Sequence, residues 1–233
     1  MPKFFHNGKI GDIIFSLPTV EQLGGGVYYI QNGLLLGTKE IESLKPLLKN
    51  QPYIEDVLEY NGEKIDYNLS CFRYEKWRIE AGKSPKPTMN IVDYTLFTFG
   101  LPPADPVKRW LVKVEPIYIP GKRFGVSLTP RYFNADVDWS KLIQDIKDQC
   151  IFVGTRYEWI DFCRYSNTII DFFETKDLLE LQALLEGLSH IYCGVGGVNA
   201  VAEAIKMPMT VAIASGSDVV FARPDLEIIK SYR

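Results

Sequence analysis

The sequence predicts an α/β chain of two Rossmann-like domains with parallel sheets, and three observations predict it. Short apolar runs bounded by glycine and proline alternate with helix-periodic segments along the chain, the trace that right-handed β-α-β units leave. Two proline-bounded stretches, Leu101-Pro102-Pro103-Ala104-Asp105-Pro106 and Glu115-Pro116 to Pro120-Gly121, interrupt the alternation midway, where neither a helix nor a central strand can continue. The 233 residues then divide into halves of roughly 115 residues, each large enough for its own core. The linker is placed at residues 115–121, between domains of residues 1–115 and 121–233.

In the first domain residues 3–6 read as a strand, followed by the loop Asn7-Gly8-Lys9-Ile10-Gly11 and a helix from Asp12 to Leu23. Ile13, Leu17, Val20 and Leu23 recur at helical spacing, and Asp12 suits an N-cap. Strands are expected at 27–31, 54–60 and 65–69, with helices at 39–49 and 90–99, the last stopped by Gly100. The second domain repeats the pattern: strands at 124–128, 151–154, 168–171, 190–193 and 209–214, and helices at 139–148, 157–164, 177–187 and 198–205.

Composition narrows the class. Hydrophobic residues make up 46% and charged residues 24% of the chain, which supports a packed core and excludes a disordered or fibrous protein. No apolar run approaches the roughly 20 residues that span a bilayer, and Asn7 and Gly8 arrive too early for a signal-peptide core, so a cytoplasmic protein without a membrane span is expected. Cys71, Cys150, Cys163 and Cys193 form no C-x-x-C pair, and only two histidines are present, which argues against a disulfide framework or a zinc site. A net charge of −3 gives no global basic field for nucleic acid.

The segment Cys193-Gly194-Val195-Gly196-Gly197-Val198-Asn199 to Ile205 joins a strand to a helix rich in small residues. Glycines there let backbone N–H groups approach a ligand at the positive end of a helix, a site suited to a diphosphate. Tight packing of helix on sheet would use the same residues.

Met207-Pro208, then an apolar strand ending in Ser215-Gly216-Ser217-Asp218, resembles the donor end of the ADP-heptose:lipopolysaccharide heptosyltransferase family, glycosyltransferase family 9. Gly11-Asp12-Ile13-Ile14 to Leu17-Pro18 is similar to that family's N-terminal Gly-Asp segment, in which the Asp serves as the catalytic base. Pro52-Tyr53-Ile54-Glu55-Asp56-Val57, Val153-Gly154 and the helix at 177–185 resemble further steps of the family in the same order. The family's donor motif, Asp-(Ser/Thr)-Gly followed three residues later by His, is replaced by Val195-Gly196-Gly197 and Ala200.

The resemblance implies the GT-B fold, with the two sheets facing a central cleft. It also implies metal-independent, inverting transfer of a sugar from a nucleotide-sugar, the co-substrate, to a hydroxyl acceptor, with no further cofactor. Asp12 would be the base and His6, at the end of the first strand, the alternative base. Gly194, Gly196, Gly197, Asn199 and Ser215 would hold the donor. Arg131 and Arg156 follow strand ends and could clamp its diphosphate, and Glu203 could accept from a ribose hydroxyl. Lys9 and the basic, aromatic stretch from Phe72 to Lys86, with Arg73, Lys76 and Arg78, would serve the acceptor, a glycan or, less favoured, a modified base in DNA. Asp136-Val137-Asp138 spells a D-x-D, but Asp138 suits the cap of the helix at Trp139, so no metal is assigned. The missing donor-motif residues suggest a second reading, a non-catalytic nucleotide-binding or nucleotide-sugar-binding protein.

Overall fold

The computed structural model describes residues 1–33, 35–71, 90–130, 134, 136–213, 221 and 223–230. They form two compact units that divide between Val112 and Lys113. Ile117 lies in the second unit, its N–H donating to the Ala183 carbonyl.

Unit 1 is a four-stranded parallel sheet in the order β3-β2-β1-β4, with β1 Lys3–His6, β2 Gly26–Ile30, β3 Ile54–Glu59 and β4 Tyr67–Asn68. Helices α1 Ile10–Gln22, α2 Thr38–Lys49 and α3 Ile91–Thr98 accompany it. The spacing that predicts α1 is the spacing that buries it: Ile13, Leu17 and Val20 are fully buried, one stripe of a 3.6-residue period. The helix starts two residues earlier than expected. Lys9 is its N-cap and Asp12 stands at its third position, so Asp12 is not the cap residue itself.

Unit 2 is a six-stranded parallel sheet in the order β10-β9-β8-β5-β6-β7, with β5 Phe124–Ser127, β6 Cys150–Val153, β7 Asp171–Phe173, β8 His190–Gly194, β9 Met209–Ile213 and β10 Leu226–Lys230. Helices α4 Trp139–Ile143, α5 Arg156–Ser166, α6 Leu178–Glu186 and α7 Gly197–Ala204 connect them. Trp139, Ile143, Phe152 and Phe162 centre the core on one face of this sheet.

Three elements differ from expectation for identifiable reasons. α4 stops at Ile143, and a 3-10 turn at Lys147–Gln149 follows, since Asp145 and Asp148 would put negative charge at a helix C-terminus. β7 begins at Asp171, three residues late, because the Ile170 carbonyl accepts from Trp159 Nε1 at 2.9 Å and is drawn out of the ladder. β10 was not expected at all. Among the described residues it is an edge strand, paired with β9 alone.

Candidate functional site

In each sheet the strand order reverses once beside the first strand of the unit, and ligands of open parallel sheets gather outside the carboxyl ends at such a point. In unit 1 the point lies between β1 and β4, where His6 ends β1 and Ser70 follows β4.

His6 is fully buried. Its Nδ1 accepts from the Gly8 N–H at 2.8 Å, and the Lys9 N–H donates to Asp12 Oδ2 at 2.9 Å. Asp12 is half-buried and Lys9 exposed. The loop therefore threads between an imidazole and a carboxylate. A Cβ on Gly8 would lie 2.5 Å from His6 Cε1 and 2.7 Å from Asp12 Oδ2, so these two atoms are themselves no more than about 5 Å apart.

The protonation of His6 follows from this geometry. A backbone N–H can only donate, so Nδ1 carries a lone pair and the ring proton sits on Nε2. The lone pair of the neutral ring is thereby engaged by the loop, which argues against the expectation that His6 is an alternative base.

Ser70 is a member of the cluster that sequence reasoning missed. Asn68 Oδ1 accepts from the Ser70 N–H at 3.1 Å, which turns the chain so that Ser70 Oγ accepts from the Asn7 N–H at 3.0 Å and lies 3.5 Å from His6 Nδ1. The signal was the asparagine-initiated turn after a strand beside β1. Beneath the loop, Ser16 Oγ donates to the Ile13 carbonyl and accepts from the Tyr28 hydroxyl, both at 2.8 Å. Burial pushes the Tyr28 phenol far up, so it remains a neutral donor.

In unit 2 the reversal lies between β5 and β8, where the turn Val195-Gly196 leads into α7. Residues 195–198 are half-buried. Gly196 is the N-cap and has no side chain to satisfy the amides of Gly197, Val198 and Asn199; the ladder begins with the Ala200 N–H on the Gly196 carbonyl at 3.1 Å. A Cβ on Gly196 would come within 3.1 Å of Thr129 Cγ2, so that Thr129 would have to give by a few tenths of an ångström. A cavity of about 420 Å³ opens beside Leu128 and Pro130, walled by Phe162 and Tyr165 of α5.

The other expected donor residues fare unequally. Gly194 ends β8, Gly196 is the N-cap and Gly197 the first residue of α7, but Asn199 is 2% exposed and its Nδ2 faces Met209 Sδ at 3.6 Å. Glu203 is 1% exposed; Oε1 pairs with Lys206 Nζ at 2.5 Å and Oε2 with Arg223 Nε at 3.0 Å. Both oxygens are held inside the protein, which corrects its assignment to a ribose hydroxyl. Arg156, exposed at the start of α5, lies 3.4 Å from Glu174 Oε2, with its guanidinium 5.7 Å from the centre of the Phe172 ring. Arg131, Ser215, Arg73, Lys76 and Arg78 lie outside the described residues. Asp138 caps α4, accepting from the Lys141 N–H at 3.1 Å and Ser140 Oγ at 2.7 Å, bonds that hold its carboxyl below the usual range. Among the described residues no group of three or more His, Cys, Asp or Glu could hold a metal ion, and no helix is long and apolar enough to cross a membrane.

Neither a family model nor a curated protein sequence matches the chain. Solved structures do. A glycosyl transferase family 9 protein from Veillonella parvula aligns over 98% of this chain and 85% of its own, with TM-score 0.65 and 12% identity. The E. coli heptosyltransferase WaaC with ADP aligns over 98% of this chain and 92% of its own, with TM-score 0.63 and 11% identity. The iron-containing dodecameric glycosyltransferase TibC from enterotoxigenic E. coli aligns over 96% of this chain but 61% of its own, with TM-score 0.62 and 16% identity. The chain has the fold of these two-sheet glycosyltransferases.

Proposed function

We propose that this protein transfers a sugar from a nucleotide-sugar to a hydroxyl acceptor with inversion. The observation that carries the reading is Asp12, a half-buried carboxylate fixed at the switch point of the first sheet, in a chain that aligns nearly end to end with glycosyltransferases. The acceptor oxygen attacks the anomeric carbon while its proton passes to Asp12. The bond from that carbon to the diphosphate breaks, and the electron pair leaves with the diphosphate. The amides at the start of α7 stabilise the departing charge, and no metal is needed for that role. The acceptor is a glycan or another hydroxyl compound held by unit 1 through Lys9 and the basic segment after Cys71. A modified base of DNA is the less favoured acceptor, given the net charge of −3.

A second reading rests on a specific observation. Val195 and Ala200 stand where the resembling family has an acid and a histidine, so α7 could hold a nucleotide in a protein that does not turn it over.

Calorimetry with nucleoside diphosphates tests the donor site common to both. The parent is expected to bind one of them, and Gly196→Val, whose side chain must push Thr129 aside, to lose at least about tenfold in affinity while staying folded. Unchanged affinity in a folded Gly196→Val protein would overturn the site.

A further inference from the structure

We infer that His6 is a positioning residue, an uncharged hydrogen-bond acceptor that locks the β1-α1 loop and so holds Asp12 in place. The inference rests on the reading of Asp12 as the base, and it assigns the imidazole a task in which no proton is exchanged.

A chain of short contacts links His6 to Asp12. Nδ1 takes the Gly8 N–H at 2.8 Å, and the next amide, that of Lys9, takes Asp12 Oδ2 at 2.9 Å. Two successive amides of one loop thus point in turn at the imidazole and at the carboxylate. Gly8 has no room for a Cβ between His6 Cε1 and Asp12 Oδ2, so a side chain at this position would force the ring, the loop and the carboxylate apart. From the far side Ser70 Oγ takes the Asn7 N–H at 3.0 Å, so three consecutive amides, those of Asn7, Gly8 and Lys9, are each bound by a side chain. Fixing all three leaves the orientation of Asp12 little freedom, and misplacement of a catalytic group by ~1 Å can cost about 100-fold in rate. A charged ring would need a hydrogen on Nδ1 facing the Gly8 N–H, so the lock operates only with neutral His6.

The first measurement requires no turnover. Long-range proton–nitrogen correlation spectra of the 15N-labelled protein at neutral pH report which ring nitrogen carries the proton, and His190→Gln assigns the two histidines. His6 is expected to show its proton on Nε2, and a proton on Nδ1 overturns the inference. The second measurement uses substitutions. An asparagine places a carbonyl oxygen near the position of Nδ1, so His6→Asn should keep the Gly8 amide protected from hydrogen exchange and retain kcat within about threefold. His6→Leu should expose that amide and lower kcat by about 100-fold, with nucleotide affinity unchanged because the donor belongs to unit 2. An asparagine variant as impaired as the leucine variant, or a Gly8 amide equally protected in both, overturns the inference. If no nucleotide-sugar is turned over by the parent, it is the glycosyltransferase reading that fails, and the ring tautomer and the Gly8 amide still decide the lock.

Discussion

Glu203 holds a buried negative charge between Lys206 and Arg223, whose side chains are themselves 10% and 1% exposed. Arg223 also reaches the Met207 carbonyl and Asp225, so one carboxylate ties α7 to the turn that leads into β10. Removing one partner of such a buried group leaves an uncompensated charge. Glu203→Gln is therefore expected to lower stability by about 3–5 kcal/mol, read by urea denaturation, whereas a ligand-binding Glu203 would leave the free protein's stability untouched. The residue was legible in the sequence only as an acid on a helix after a glycine turn. Its partners are 3 and 20 positions away, and no local pattern announces the second. Asp12 was legible by its place in Gly-Asp, but its rank as third residue of α1 was hidden because Lys9, an unusual N-cap, gives no signal. His6 was legible as a strand-end residue and its tautomer was not, since that depends on a bond two residues ahead.

The strands β8, β9 and β10 carry a polar ladder across one face of the second sheet. His190 Nε2 donates to Thr210 Oγ1 at 2.9 Å, and that hydroxyl donates to Glu227 Oε2 at 3.0 Å. Burial holds the imidazole below its ordinary value of 6.5, against the opposing pull of Glu227. The folded state then binds fewer protons than the unfolded one below that value, so stability falls as the pH drops through 6.5 and levels off below the folded value. Comparing urea denaturation of the parent and His190→Gln from pH 8 to 5, the difference should be flat above about pH 7 and turn against the parent below 6.5. A difference that favours the parent on acidification would contradict this. The same region shows the limit of element reading. Helices with a buried stripe were legible, α7 to within one residue and α1 to within two, whereas β7 was misplaced by a tryptophan hydrogen bond and β10 was hidden because an edge strand needs only one apolar face.

At the scale of the molecule, the alternation of strands and helices with a proline-rich break sufficed to read two parallel-sheet units, because each unit obeys local rules of connection. The edge at which chemistry gathers follows from strand order, which sequence does not print. Once the order is known, Asp12 falls at one switch point and the Gly196 turn at the other. Burial also protects two of the four thiols: Cys193 is pushed up to about 12 and Cys150 to about 11. Both should resist alkylation at pH 8 in the folded protein while exposed Cys71 reacts, and rapid labelling of Cys193, read by mass spectrometry, would show that the second sheet opens. The most direct test of the central claim is turnover of a panel of radiolabelled nucleotide-sugars by the parent and by Asp12→Asn. The amide can still accept from the Lys9 N–H, so the melting temperature should barely move, but it cannot take a proton from an attacking hydroxyl. The parent is expected to transfer sugar or slowly hydrolyse the donor, and the folded variant to lose about 100-fold to 10,000-fold in rate. Transfer by Asp12→Asn within a few-fold of the parent would contradict that claim.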